Sequence, residues 1–111
     1  MSHNIIIQDE MGIKDLILDA LDTVIDPELE PATIVDIGLV YEIITKKDGT
    51  AKVIMTLTAP ACPVAGQMME EVQQKVSQIE GVENSLVELT FDPPWTQSMM
   101  SEEAKLMLGF M

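Results

Sequence analysis

Residues 34–58, with the sequence IVDIGLVYEIITKKDGTAKVIMTLT, decide the fold of this chain. The first part, Ile34–Thr45, is rich in β-branched and apolar residues, as strands are. It is followed by Lys46–Gly49, which ends in Asp-Gly, a strong signal for a tight hairpin turn. The second part, residues 51–58, alternates apolar and polar positions with the period of two typical of a half-buried strand. The stretch therefore predicts two antiparallel strands.

Helical periodicity appears on both sides of this hairpin. Upstream, apolar residues recur at helical spacing from Ile13 to Val24 and predict an amphipathic helix over about residues 12–25. Downstream, a similar stripe predicts a second helix over about residues 63–80, with Pro63 in the first turn, where a missing N–H costs nothing. Residues 1–11 carry no clear period and are interpreted as a disordered tail.

The remaining elements complete one small domain over residues 1–111. Alternating apolar residues predict a third strand over about residues 83–91, and Ser101 is the expected cap of a short last helix. Strand–helix–strand connections are right-handed crossovers, so the third strand should lie parallel to the second. The predicted fold class is α+β, in the order α-β-β-α-β-α, with a small mixed three-stranded sheet and helices packed mainly on one face.

The charge balance is strongly acidic, with 19 Asp and Glu residues against 6 Lys and Arg and a net charge of −13. Such a surface repels phosphate backbones and anionic lipids, which argues against nucleic acid and membranes as partners. Two readings stay open: the acidity only keeps the protein soluble, or it attracts metal ions or a basic partner surface. No signal-peptide pattern or long apolar run is present, so a cytoplasmic protein is expected.

Cys62 is the single cysteine, so no internal disulfide is available. It lies where a predicted strand ends and a predicted helix begins, flanked by Pro60 and Pro63. Unpaired N–H groups and the partial positive charge at a helix start favour a thiolate, the form that binds soft metals. The alternative is a buried structural cysteine, because free cysteine behaves as a small hydrophobe.

Three other residues stand out near the predicted sheet end. Asp36, between two apolar residues, either accepts hydrogen bonds from its own turn or serves as a ligand or proton acceptor. Thr56 and Thr58 share one face of the strand leading to Cys62 and are candidates for lining the same hollow. The sequence offers no second cysteine and no glycine-rich phosphate loop, so a closed metal site within one chain and an enzymatic role are both disfavoured.

Four ordered motifs at compatible spacing extend this interpretation: DPELEP at 26–31, DIGLVY at 36–41, TLTAPACP at 56–63 and LTFDPPWT at 89–96. Together they resemble the SufT-like, MIP-type family of iron–sulfur cluster assembly proteins, also described as metal–sulfur cluster biosynthetic proteins. The similarity continues through MSEEAKLMLG at 100–109, so it covers nearly the whole chain.

The resemblance implies a cytoplasmic accessory factor, not an enzyme, that helps to mature iron–sulfur proteins. Such a factor either ligates a cluster or iron transiently or docks carriers to client apoproteins, and it holds no permanent cofactor. The resemblance also implies that Cys62 is the functional residue. The side chains that it places around the same pocket are Asp26, Glu28, Leu29, Thr56 and Thr58.

Several alternatives remain at this level. Trp95 either docks a partner or anchors the last helix in the core, and a homodimer is one source of further ligands for Cys62. The nine methionines suit a non-metal interaction module, because methionine surfaces adapt to several partners. A PaaD-like branch of the family serves phenylacetate-degrading oxygenases and carries a cysteine-rich C-terminal extension; the sequence ends at Met111 without one, which argues against that branch.

Overall fold

The computed structural model describes residues 5–27, 29–58 and 65–109. Its helices and strands, in chain order, are β1 (Ile6–Asp9), α1 (Lys14–Leu21), β2 (Val40–Thr45), β3 (Thr50–Met55), α2 (Ala65–Ser77), β4 (Asn84–Leu89) and α3 (Glu102–Met107). A short 3-10 turn, Gln97–Met99, precedes α3. The mixed α+β class is as predicted.

The sheet has four strands in the order β1-β2-β3-β4. As predicted, β2 and β3 pair antiparallel and β4 lies parallel to β3. The prediction of three strands is wrong, and so is the prediction of a disordered tail at Ile6–Asp9, because these residues form β1, parallel to β2. Four residues are too few to show a period, and their hydrogen-bond partners lie far along the chain. The element order is therefore β-α-β-β-α-β-α.

The predicted strand over Ile34–Thr45 is too long at its start. Strand β2 begins at Val40, and the preceding residues form a compact turn in which the Leu39 amide donates to the Ile34 carbonyl at 2.9 Å. Gly38 adopts a φ of +81° inside this turn, a conformation that favours glycine. A Cβ at Gly38 would collide with the backbone of Met99, so close packing of the C-terminal segment shapes this loop.

The core lies on one face of the sheet. Alternate residues of β3 (Ala51, Val53 and Met55) are completely buried, as the period of two requires. The buried stripe of α2 packs over this face, and α1 contacts α2. The described residues of α1 and α2 in this core are Ile17, Leu21, Met68, Val72 and Val76. The face formed by Ile6, Glu42, Ile54 and Glu88 points the other way.

The C-terminal segment packs back across the turn that precedes β2. The Ser101 amide donates to the Asp36 carbonyl at 2.7 Å. The Ser101 hydroxyl accepts from the Ala104 amide at 3.0 Å, which confirms the predicted cap of the last helix. Within the described ranges, no helix has the length and apolar character needed to cross a bilayer.

Candidate functional site

The candidate site lies at the end of the sheet where β3 finishes and the chain continues toward α2. Two of the residues predicted for it, Cys62 and Glu28, lie outside the described residues. The surrounding residues can be described from the backbone outward.

A series of backbone hydrogen bonds connects the loop after α1 to the end of β3. The Ile34 amide donates to the Val24 carbonyl at 2.9 Å, and the Leu39 amide donates to the Ile34 carbonyl at 2.9 Å. The Thr56 amide then donates to the Leu39 carbonyl at 2.8 Å. Neighbouring hydrogen-bonded segments lie about 5 Å apart. The connection therefore brings the Asp26 loop to the same end of the sheet as Thr56.

Asp26 is buried, with 2% of its surface exposed. Its backbone is held on both sides: its amide donates to the Ala32 carbonyl at 3.2 Å, and its carbonyl accepts from the Leu29 amide at 3.0 Å. Leu29 is half-buried and packs against the core. A carboxylate at such a depth is costly unless hydrogen bonds or a cation compensate for it. The loop therefore presents a fixed acidic group at the site end of the sheet.

Thr56 has the most unusual environment at this end. The residue is 0% exposed, and its hydroxyl has no hydrogen-bond partner among the described residues. Burying a hydroxyl without a partner costs about 1–3 kcal/mol. Buried polar groups of this kind are rare and call for an explanation.

Tyr41 is a titratable neighbour of that hydroxyl. Burial raises the pKa of the Tyr41 phenol, and the nearby Thr56 hydroxyl offsets part of this effect without meeting the geometry of a hydrogen bond. The Tyr41 O–H itself donates to the Pro93 carbonyl at 2.9 Å, so its proton is directed toward the C-terminal segment and not toward Thr56. Sequence reasoning missed Tyr41 as a neighbour of the site, although it ends the DIGLVY motif.

Asp36 and Trp95 are fixed by the packing of the C-terminal segment. The half-buried Asp36 receives the Ser101 amide at its carbonyl, and its own amide donates to the Thr33 hydroxyl at 3.2 Å. Its carboxylate makes no hydrogen bond to another described residue. The Gly38 amide instead donates to the Val35 carbonyl at 3.2 Å. The Trp95 indole N–H donates to the Ile37 carbonyl at 2.6 Å, which is the contact that the anchoring alternative requires.

The structure thus brings Asp26, Leu29, Asp36 and Thr56 to one end of the sheet. Thr58 follows two residues after Thr56 and is half-exposed. Within residues 5–27, 29–58 and 65–109, no three acidic, histidine or cysteine side chains come together in a way that would hold a metal ion. The described part of the site therefore offers a buried carboxylate and a buried hydroxyl, which suit hydrogen bonding around a bound group better than ligation of a metal.

Comparison with known proteins identifies what this arrangement resembles. A family model described as "iron–sulfur cluster assembly protein" matches residues 14–89. The chain is 47% identical over 95 residues to an Fe–S protein maturation auxiliary factor of Porphyromonas gingivalis, covering 86% of this chain and 90% of that protein. It is 41% identical over 86 residues to the Fe–S protein maturation auxiliary factor SufT of Staphylococcus aureus, covering 78% of this chain and 97% of SufT.

Two further similarities extend the comparison. An iron–sulfur cluster carrier protein of Synechocystis is 29% identical over 85% of this chain, which corresponds to 26% of the carrier. A crystal structure from Bacillus anthracis, described as a domain of unknown function (DUF59), superposes with a TM-score of 0.82 at 35% sequence identity, covering 89% of this chain and 93% of that one. The chain therefore shares its overall fold with that crystal structure, and it is similar in sequence to proteins described as Fe–S protein maturation auxiliary factors.

Proposed function

The chain belongs to the iron–sulfur cluster assembly protein family, and from that premise we propose how it acts in the maturation of iron–sulfur proteins. It is an accessory factor in this process, as the resemblance to SufT-like proteins predicted. We propose that it works without catalysis in the cytoplasm, and that Cys62 ligates iron or a cluster transiently before transfer. The cargo passes between carriers and client apoproteins and is not a resident cofactor.

The observation that best supports this proposal is the buried Thr56 hydroxyl without a described partner. Hydrogen bonds to sulfur tune an iron–sulfur cluster, and residues around a metal site hold its ligands in place. We propose that this hydroxyl donates a hydrogen bond to a thiolate or sulfide of the bound cargo, since no described residue meets hydrogen-bond geometry with it. Thr56 stands six positions before Cys62 in the chain, at the end of β3.

The helix that follows Cys62 supports thiolate character. The first residue of α2 is Ala65, three positions after the cysteine, and its first turn carries no acidic residue. The positive end of the helix dipole therefore lies near Cys62 in the chain without a carboxylate to neutralise it. A thiolate is the form that iron binds.

One cysteine provides one ligand, so the other ligands must come from elsewhere. A small thiol, a partner protein or a second copy of the chain can supply them, and shared ligation makes release to a client easy. We therefore propose carriers and client apoproteins as the partners, and a homodimer in the loaded state. Asp26, Glu28, Leu29, Asp36 and Thr58 are proposed to surround the bound cargo.

Anaerobic reconstitution with ferrous iron and sulfide tests this function. The wild type should gain cluster absorbance and bound iron, and Cys62→Ala should lose both while keeping its folded circular dichroism spectrum. Ser77→Ala is the matched control, because Ser77 is the last residue of α2 and, among the described residues, its hydroxyl hydrogen-bonds the Gln74 carbonyl alone. Equal iron content in the wild type and Cys62→Ala would contradict ligation by this residue.

A docking role without cargo is the second candidate, and the acidic surface favours it. In that case neither protein acquires a cluster, but the wild type and Cys62→Ala both bind client apoproteins in a pull-down and both restore client activity in cells. Loss of client activity in cells that make normal amounts of Cys62→Ala would exclude this candidate.

A further inference from the structure

Strand β4 is at an edge of the four-stranded sheet. The amides of Asn84 and Thr90, near the two ends of the strand, both donate toward the chain of β3 and its preceding turn, at 3.2 and 2.9 Å. Successive amides of a strand point in opposite directions. The outward amides of β4 are therefore those of Ser85, Val87 and Leu89.

One part of this edge is already covered. The Gln73 side-chain amide of α2 donates to the Ser85 carbonyl at 3.0 Å, and the Ser85 hydroxyl donates to the Gln73 carbonyl at 2.9 Å. This reciprocal pair closes the edge near the start of β4. The backbone of Val87 and Leu89, nearer the candidate site, has no described partner on its outer side. Exposed strand edges of this kind pair readily with other chains.

A groove of about 600 Å³ runs beside this free edge, between α2 and β4. Its walls combine flexible apolar groups with amides, which adapt to different side chains and bind backbone groups. Leu86 is 49% exposed at its rim. The residues that line the groove include Met69, Glu70, Gln73, Gln74, Leu86 and Val87.

The charges at the groove indicate which partner fits. Among the described residues that line it, Glu70 alone is charged. Its carboxylate accepts from the Gln74 side-chain amide at 3.4 Å, and no described cation lies within ion-pair distance. Lys52, across the sheet, is already paired with Glu88 at 2.8 Å. The chain carries a net charge of −13, so electrostatics favours a basic segment over a second metal-free copy of the chain as the occupant of this edge.

We propose that the free edge of β4 and this groove bind an extended basic segment of a partner protein, which adds to the sheet as a fifth strand. The main chain of the segment pairs with Val87 and Leu89. Alternate basic side chains enter the groove toward Glu70, with their alkyl stems against Met69. The apolar side chains between them lie on the other face of the sheet, beside the exposed Leu86. Such strand addition takes its affinity from the main chain and its specificity from alternate side chains.

The location of this edge connects it to cargo transfer. Strand β4 runs parallel to β3, so Leu89 lies at the same end of the sheet as Met55 and the candidate site. A segment bound along the edge holds its own protein beside that end. Only the identity of the partner as an iron–sulfur carrier or client rests on the proposed function; the docking edge itself does not.

Binding is tested with a fluorescein-labelled heptapeptide of alternating lysine and valine, titrated into the metal-free Cys62→Ser chain. Because the lysines must face Glu70 in the groove, only one set of alternate peptide amides faces β4. N-methylation of that set should weaken binding at least tenfold, and N-methylation of the other set should change it little. A peptide of alternating glutamate and valine should not bind measurably.

Two substitutions in the protein sharpen the test. Val87→Pro removes one outward amide and leaves the ladder to β3 intact, since proline is tolerated on edge strands, and should weaken binding about tenfold. Leu86→Lys places a positive charge at the exposed rim and should weaken it by a similar factor. Ile6→Lys is the matched control, because Ile6 is exposed on β1, at the opposite edge of the sheet.

Amide hydrogen exchange provides the structural readout. The peptide should slow exchange at Val87 and Leu89, and the N-methylated peptide should not. The proposal is overturned by equal affinity for both N-methylated peptides, by unchanged exchange at Val87 and Leu89, or by protection of these amides in a dimer without peptide. Because no metal is present, the result is independent of cluster binding at Cys62.

Discussion

Two buried threonines at opposite ends of the β2–β3 hairpin have different environments. Thr45 is 1% exposed, and its hydroxyl donates to the Asp9 carboxylate at 2.7 Å and accepts from the Met11 amide at 3.0 Å. Thr56 is 0% exposed and has no described partner for its hydroxyl. The hydrogen bonds of Thr45 at the turn end therefore stabilise the fold. At the site end, the Thr56 hydroxyl without a described partner lowers the stability, and a functional role explains why it is kept.

Two glycines extend the comparison and give the largest expected effect. Gly12, at the turn end, and Gly38, at the site end, both have positive φ values, of +73° and +81°. Gly12→Ala should cost about 1 kcal/mol of unfolding free energy from backbone strain alone, since a Cβ there meets open space. Gly38→Ala should cost about 4 kcal/mol, because its Cβ also collides with the Met99 backbone. Equal midpoints in urea for the two variants would contradict the close packing at the site end.

The next largest effect is expected at the turn end. Thr45→Val removes the hydroxyl that serves both Asp9 and the Met11 amide, so it should lower the unfolding free energy by about 2 kcal/mol. Thr45→Ser keeps the hydroxyl and should recover most of that loss. Urea denaturation of the three proteins at neutral pH measures the difference. A fully stable Thr45→Val protein would show that this network contributes nothing.

The pH dependence of stability reports on the same network. Partial burial raises the pKa of Asp9, but hydrogen bonds from the Thr45 hydroxyl and from the amides of Lys14, Ile13 and Gly12 outweigh it, and the pKa lies below its ordinary value of 3.8. A carboxylate with a lowered folded pKa adds stability above its unfolded pKa, and this contribution disappears as the pH falls through the folded pKa.

The stability lost between pH 5 and pH 2, measured by urea denaturation, should therefore be smaller in Asp9→Asn than in the wild type. Asp19→Asn is the control, because Asp19 lies on α1 and makes no described side-chain contact. The same acid loss in Asp9→Asn as in the wild type would show that Asp9 gains nothing from its hydrogen bonds.

The smallest effect on stability is expected for Thr56→Val. Replacing an unpaired buried hydroxyl by a methyl of the same shape should leave the unfolding free energy unchanged or raise it by about 1 kcal/mol. The same variant should bind less iron in the anaerobic reconstitution, because the available hydrogen-bond donor is lost. A destabilisation as large as that of Thr45→Val would show that the Thr56 hydroxyl serves the fold.

Local patterns predicted much of the fold. Asp48-Gly49 specified the β2–β3 hairpin, the crossover rule placed β4 parallel to β3, and Ser101 caps α3 as expected. Each of these depends on neighbouring residues or on a general rule of chain connection. The errors occurred where distant residues decide: β1 needs β2 as a partner, and the turn before β2 is shaped by Met99.

For the candidate site, too, local sequence predicted some features and contacts between distant segments decided the others. The motif resemblance predicted Asp26 and Thr56 as site residues, and the local sequence around Asp36 predicted it as a further candidate. Backbone hydrogen bonds bring these three residues to one end of the sheet. The roles proposed for them, and for Cys62 and Glu28, remain predictions. No pattern in the sequence indicated that the Thr56 hydroxyl lacks a partner or that Tyr41 lies beside it, because these facts depend on how separate segments pack.

The sequence by itself determined the α+β class, the central hairpin and the family, because periodicity, turn residues and motifs are properties of neighbouring residues. The tertiary structure alone decided the fourth strand, the clamped turn before β2, the free edge of β4 and the contrast between Thr45 and Thr56. These features depend on contacts between residues far apart in the chain, where burial and hydrogen bonding are settled only once all segments are in place.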